Sequence, residues 1–362
     1  YYHLTMMNKH LYVHVPFCDS ICGYCDFAHT IVNRDLISKY LERIKEDLND
    51  LPFSNFETIY IGGGTPSCLN SGELEYLLSM IYPLSKGVIE YTIEVNPESI
   101  DEHKLQIMKK YGVNRISMGV ESSDDNLLRI MNRKYDFGLV REKVELIKSY
   151  GINNISVDLM YSLPFQTMDI LKKTLDDILS LDVPHISIYS LTIEENTMFN
   201  RRGYDHLDED TEADMYEYIE KRLLDYNHYE VSNYCRNEMY SRHNVGYWNY
   251  DDFIGLGPGA SSKVNNHRYT YTKNVRNYIN KKDLLSEDIY LDKQDLEFEN
   301  VMMSLRTIYG LDLDLFYKRY GEDFRDVYKE AIEKNKEYLV FKDNHCICTN
   351  LEILNTILVD FL

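Results

Sequence analysis

The chain has 362 residues, of which 44% are apolar and 27% charged, and it carries a formal net charge of −20. That length is enough for a large core and suggests one big domain with a smaller one, and the composition is that of an ordinary globular protein. The charge excludes a partner held through nucleic-acid phosphates and is a poor match to an anionic membrane surface.

Seven cysteines is an odd number; three crowd one loop, and Cys68, Cys235, Cys346 and Cys348 are scattered. That is not a secreted disulfide framework, so the expected compartment is a reducing cytoplasm. Residues 1–7 have no basic lead-in and no apolar h-region, Met6 or Met7 reads as the natural start, and no run is long enough to span a bilayer.

The first β-rich run, residues 11–17, leads directly into Cys18-Asp-Ser-Ile-Cys22-Gly-Tyr-Cys25. Three thiolates on one short loop can hold three irons of a [4Fe–4S] cluster and leave the fourth open to chemistry, since a closed site has four cysteines. Two plainer readings stand beside it: a Cys₃His zinc site completed by His14 or His29, and inert buried thiols.

Residues 33–50 place Leu36, Ile37, Tyr40, Leu41, Ile44 and Leu48 on one helical face. Further β-rich runs follow at 58–61, 91–95, 115–120, 154–161 and 185–191, with helical patterns between them. Six strand–helix units predict a parallel sheet with right-handed crossovers. Six is too few for an eight-stranded barrel, so the expected fold is α/β, an open partial (β/α)6 barrel with its active residues at the carboxyl ends of strands.

Those ends carry polar signatures. The second run ends in Gly62-Gly-Gly-Thr-Pro66, where glycines let the backbone approach a ligand or simply make a tight turn. The third ends in Glu94-Val-Asn-Pro97, and the fourth runs Ile116-Ser-Met-Gly-Val-Glu-Ser122 ahead of Asn132-Arg133. The fifth carries Asp158-Leu-Met-Tyr-Ser-Leu-Pro-Phe-Gln-Thr167. As plainer readings, Glu94 is an edge-strand side chain, and Tyr12 and Asp158 are polar residues lining the core.

After residue 191 the alternation stops. Residues 208–226 form an acidic amphipathic helix, followed by His243-Asn-Val-Gly-Tyr-Trp248 and Gly255-Leu-Gly-Pro-Gly-Ala260. An apolar run at 338–341 and a Leu- and Ile-rich helix over 350–362 close the chain. The expected division is 8–195 for the barrel with its cluster and cofactor site, 196–280 for an extension carrying His243–Trp248, and 281–362 for a smaller C-terminal α+β domain.

Taken together, these motifs resemble the radical S-adenosylmethionine (SAM) superfamily. The resemblance implies that Cys18, Cys22 and Cys25 hold the cluster and that the amino and carboxylate groups of SAM take its open iron. It further implies that Gly63, Gly64, Thr65 and Glu94 contact SAM, that Arg133 grips the SAM carboxylate bidentately, and that Asp158 holds the ribose diol. Tyr12 and Phe27 are expected beside SAM. Glu121 stands where the family has Gln and accepts hydrogen bonds without donating them; the family's Arg-x-His is Arg133-Lys-Tyr135 here.

Within the superfamily, the chain resembles the oxygen-independent coproporphyrinogen III oxidase-like group, and in it the HemW-like haem chaperones. The oxidase has a fourth cysteine where this chain has Phe27, and Cys18 leaves no room for the oxidase's long leading segment. His243–Trp248 matches HNxxYW. The resemblance implies binding of haem, a [4Fe–4S] cluster and SAM, and transfer of haem to apo-haem acceptor proteins such as respiratory enzymes. His243 is expected to ligate haem iron, with Tyr247 and Trp248 flanking the porphyrin; a surface His beside a core Trp is the plainer reading. The alternatives are a radical decarboxylase acting on coproporphyrinogen III and a zinc-stabilised protein without radical chemistry.

Overall fold

The computed structural model describes residues 9–362; the reading of Met6 or Met7 as the start lies outside the described residues. Six parallel strands form the body of one sheet: β1 (Lys9–Val15), β2 (Thr58–Gly63), β3 (Glu90–Val95), β4 (Arg115–Glu121), β5 (Asn154–Tyr161) and β6 (His185–Ser190). Beyond β6 come the short antiparallel strands β7 (Asn227–Glu230) and β8 (Asn233–Cys235). On the other side lie β9 (Asp252–Leu256), β10 (Ser261–Val264), β11 (His267–Tyr271) and β12 (Leu285–Tyr290). The twelve-stranded order is β12-β11-β10-β9-β1-β2-β3-β4-β5-β6-β8-β7.

The alternation along each strand explains the layering. Leu11, Val13 and Val15 of β1 are fully buried and share one apolar core with Ile37, Tyr40 and Ile44 of the helix Arg34–Asn49. The even residues, His10, Tyr12 and His14, point to the other face. The register aligns them with Thr58, Tyr60 and Gly62 of β2. On β4 to β6, Gly119, Asp158 and Ser187 stand side by side in the same way. The concave interior is therefore lined by polar and aromatic side chains, and the convex side is apolar under its helices.

Helix starts follow ordinary capping chemistry. Asn33, Asp101, Asp136 and Thr167 each accept a backbone N–H of the following first turn. The acidic helix begins at Asp208 and runs Glu209–Arg222. A second core, from Val301 to Phe361, packs short helices on a three-stranded antiparallel sheet containing Leu339–Lys342 and His345–Cys348. The expected final helix is shorter, Leu354–Leu358, and tightens into a 3₁₀ turn at Val359–Phe361. Among the described residues no helix is long and apolar enough to cross a membrane.

The parallel run does not stop at six strands. β9 pairs in parallel with β1, so a seventh strand flanks the cysteine-bearing one. The short sequence Asp252-Phe-Ile-Gly-Leu256 carries an acid and a glycine, which hid its strand character.

The loop after β5 holds two L-residues in the left-handed region, Ser162 (φ 59°) and Phe165 (φ 67°). Phe165 is 65% exposed and touches Tyr204 edge-on. Phe165→Gly is expected to stabilise the fold by about 1 kcal/mol, because glycine adopts this conformation without steric cost. An unchanged or lower urea midpoint would count against that strain.

Candidate functional site

The three loop cysteines sit just past the carboxyl end of β1, where the chain must turn back over the barrel mouth. Phe17–Cys18 pairs with Thr30–Ile31, closing the loop at its base. The glycine segment after β2 is stitched to the same turn: Gly64 N–H donates to Val15 O (2.8 Å) and Thr65 N–H to Phe17 O (2.8 Å). A Cβ on Gly64 would lie 2.8 Å from Cys18 Sγ and from Phe17 O. Gly63 has φ 117°, and a Cβ there would meet the His14 ring at 2.9 Å. The glycines thus make room for the first cysteine and for His14.

His14 ties the loop down from below. Its Nε2 lies 2.7 Å from Ala28 O and its Nδ1 2.9 Å from Tyr12 Oη. Burial pushes its pKa down to about 4, against the opposing Ala28 hydrogen bond, so the ring is neutral at pH 7. The Gly255–Ala260 segment packs behind the same loop. A Cβ on Gly257 would fall 2.3 Å from His14 O, and one on Gly259 would fall 2.9 Å from Ala28 Cβ.

The thiols face a cavity of about 420 Å³. Cys18 is buried; Cys22 and Cys25 are half-buried. Burial pushes the Cys18 thiol up to about 12 and that of Cys25 to about 11; a coordinating metal deprotonates such a thiol outright. Among the described residues, no three His, Cys, Asp or Glu side chains converge as a single-ion site requires. A cluster needs only one thiolate at each of three irons, and all three thiols line the same cavity. Gly64→Ala is expected to cost about 1–3 kcal/mol of overpacking and to lower the iron retained per chain; full iron content with an unchanged urea midpoint would refute this.

Most of the expected residues share that cavity. Phe27, Gly63, Gly64, Thr65, Glu94, Glu121, Arg133 and Asp158 all line it. Glu94 takes the Tyr60 hydroxyl at Oε1 (2.7 Å) and the Gly63 N–H at Oε2 (3.1 Å). Arg133 is ion-paired with Glu121 and also donates to Asn96 Oδ1 (2.9 Å) and Tyr24 Oη (2.9 Å). Its Nε is buried with no acceptor among the described residues. Burial, with Glu121 and then Glu94 adding to it, raises Asp158 to about 8.

Tyr12 lies below the cavity, against Tyr60 and His14. Tyr24 and Asn96, which hold Arg133, had no assigned role in the sequence. Both lie inside quoted motifs, and their distance in sequence from Arg133 concealed the contact. Tyr189 adds a half-exposed ring to the wall through β6.

His243, the expected haem ligand, is buried and hydrogen-bonded. It lies in the helix Arg242–Trp248, at the amino ends of the strands, a strand's length from the cysteine loop. The side chain is 1% exposed. Its Nδ1 is 2.7 Å from Thr58 Oγ1 and its Nε2 2.8 Å from Tyr247 Oη, so both ring nitrogens are engaged. The neighbouring glycine-rich segment packs against the base of the cysteine loop at His14 and Ala28.

Comparison with known proteins bears on this geometry. Residues 12–178 match the radical SAM superfamily and residues 291–352 the HemN C-terminal domain. The chain is 36% identical to the haem chaperone HemW of Lactococcus lactis, over 97% of this chain and 96% of that protein. It is 33% identical to HemW of Bacillus subtilis over 90% and 92% of the two chains. Among solved structures, coproporphyrinogen III oxidase (HemN) of Escherichia coli superposes with a TM-score of 0.84 at 19% identity, covering 98% and 90% of the two chains; that likeness is one of fold. The cysteine triad within a radical SAM domain supports binding of SAM and a [4Fe–4S] cluster.

Proposed function

The chain belongs to the HemW family of radical SAM proteins, and from that premise we propose that it is a cytoplasmic haem chaperone which binds a [4Fe–4S] cluster, SAM and haem and delivers haem to apo-haem proteins. The observation that carries the reading is one cavity lined by Cys18, Cys22 and Cys25 together with Glu94, Arg133 and Asp158. When bound, the cluster would supply an iron able to ligate SAM and to pass it an electron.

The protein's own groups divide the remaining work. Glu94, fixed by Tyr60 and Gly63, offers a carboxylate to an ammonium group. Arg133 offers a guanidinium to a carboxylate, which must share it with Glu121. Asp158 retains a proton near neutrality and serves a ribose hydroxyl as a hydrogen-bonding partner. Thr65 Oγ1 lies 3.7 Å from Cys18 Sγ and steadies that sulfur. Phe27 is 63% exposed and lines the same cavity, shielding its outer edge. We place the barrel and cofactor site in residues 8–195, the extension in 196–280 and the C-terminal domain in 281–362. We keep His243 as the haem ligand, a role that requires its bonds to Thr58 and Tyr247 to open.

The test is a haem titration of anaerobically reconstituted protein, followed by transfer to an apo-haem protein read by the acceptor's Soret band. Stoichiometric binding and transfer are expected, with no conversion of coproporphyrinogen III in the presence of SAM and reductant. Sustained decarboxylation without haem transfer would move the chain to the oxidase reading.

A further inference from the structure

The HNxxYW segment forms a plug beneath the barrel, and its contacts run upward into the cofactor cavity. Glu90, at the start of β3, accepts the N–H groups of Arg242 (2.9 Å) and His243 (3.0 Å) and so fixes the start of the helix Arg242–Trp248. At the other end, Arg319 of the C-terminal domain donates to Asn249 O (2.9 Å) and pairs with Asp251 (3.5 Å). Ser304 donates to Trp248 O (3.3 Å). The helix is thus clamped between the barrel interior and the C-terminal domain.

The His243 ring is held edgewise by Thr58 and Tyr247, and its face lies against Tyr60, with centroids 5.1 Å apart and planes inclined by 34°. Tyr60 in turn donates its hydroxyl to Glu94 Oε1 at 2.7 Å. The other oxygen of Glu94 holds the Gly63 N–H. Space at this junction is fully used: a Cβ on Gly62 would come within 2.8 Å of both the Tyr60 ring and Glu94 Oε1. A Cβ on Gly246 would fall 2.2 Å from His10 Nε2, which leaves the plug no room to rise.

We infer that His243 is a positioning residue for Glu94, acting through Tyr60, so that the HNxxYW helix sets the shape of the SAM pocket from the opposite end of the barrel. The inference rests on the reading of Glu94 as a SAM contact. It gives the His243–Trp248 motif a role toward the SAM pocket beside the one proposed toward haem. An imidazole locked on both nitrogens is a flat, rigid support, and a tyrosine resting on it has one way to present its hydroxyl.

The test uses the full chain with its cluster reconstituted, and SAM binding measured by equilibrium dialysis without turnover. Tyr60→Phe keeps the ring on His243 but removes the hydroxyl from Glu94; SAM affinity is expected to fall roughly tenfold, as for a lost hydrogen bond to a charged group. His243→Ala is expected to weaken SAM several-fold at unchanged iron content, and the double variant to be no weaker than Tyr60→Phe alone, since the two changes break one chain of contacts. His243→Phe restores a ring beneath Tyr60 while losing both hydrogen bonds; it is expected to recover SAM affinity although its thermal midpoint drops. Should His243→Ala fail to fold, Tyr247→Phe, which loosens the same ring, takes its place in the cycle. Additive losses, or wild-type SAM affinity in iron-loaded His243→Ala, overturn the inference. Wild-type protein that retains its cluster and binds no SAM refutes the reading beneath it instead.

Discussion

Replacing Cys18, Cys22 and Cys25 together by Ser is expected to remove essentially all bound iron, and with it the sulfur-to-iron charge-transfer absorption, from anaerobically reconstituted protein. Ser presents an oxygen of high pKa in place of a soft thiolate, and iron–sulfur clusters select the thiolate. The informative control is Cys68. It is buried close to the loop and its Sγ donates to Phe17 O at 3.3 Å, but it does not line the cavity. Burial pushes its thiol up first, with Asp19 and Cys18 adding to that, which is the environment of a structural thiol. Cys68→Ser should therefore keep its iron, as should variants at Cys235, Cys346 and Cys348, which are buried elsewhere. Iron per chain and the visible spectrum decide the matter. Loss of both in Cys68→Ser would mean that the cluster is held by a different set of thiols.

The contrast between Cys68 and the loop cysteines shows what the sequence makes legible. Loop spacing and strand-end motifs are local, and the six parallel strands were readable because each is a β-rich run of four or more residues set between helical patterns. Glycines at 63 and 64 were readable as a close approach, but what approaches is Cys18 Sγ and the His14 ring, a contact made across two strands. The burial of His243 was hidden for the same reason. Its helix is short, its apolar pattern is brief, and nothing near it in sequence announces that Glu90, 153 residues earlier, takes its backbone N–H. β9 escaped notice because a strand flanked on both sides gains its stability from its neighbours more than from its own five residues.

Glu90 supplies the second large effect. It is 2% exposed, holds two N–H groups of the plug helix, and lies 4.0 Å from Nε of Arg115, itself 2% exposed. Arg115 Nε has no hydrogen-bond acceptor among the described residues, and Glu90 is the carboxylate in ion-pair range of that guanidinium. Glu90→Ala removes three compensations at once: two N–H acceptors and the counter-charge of a buried cation. Breaking a buried pair from one side typically costs about 3–5 kcal/mol, because the partner's desolvation is no longer offset. The expected loss is at the top of that range, read from urea unfolding of the full chain. Glu90→Gln keeps an acceptor for the helix and loses only the charge, so it should cost less. Replacing Glu90 and Arg115 together by Gln should recover part of the loss seen in Glu90→Ala, since no unpaired charge then remains in the interior. A Glu90→Ala loss below about 1 kcal/mol, in the range of an exposed pair, would show that water reaches Arg115 and that the plug does not seal the barrel. The coupling assigned to His243 would weaken with it, because a plug that admits water has no fixed ring to set against Tyr60.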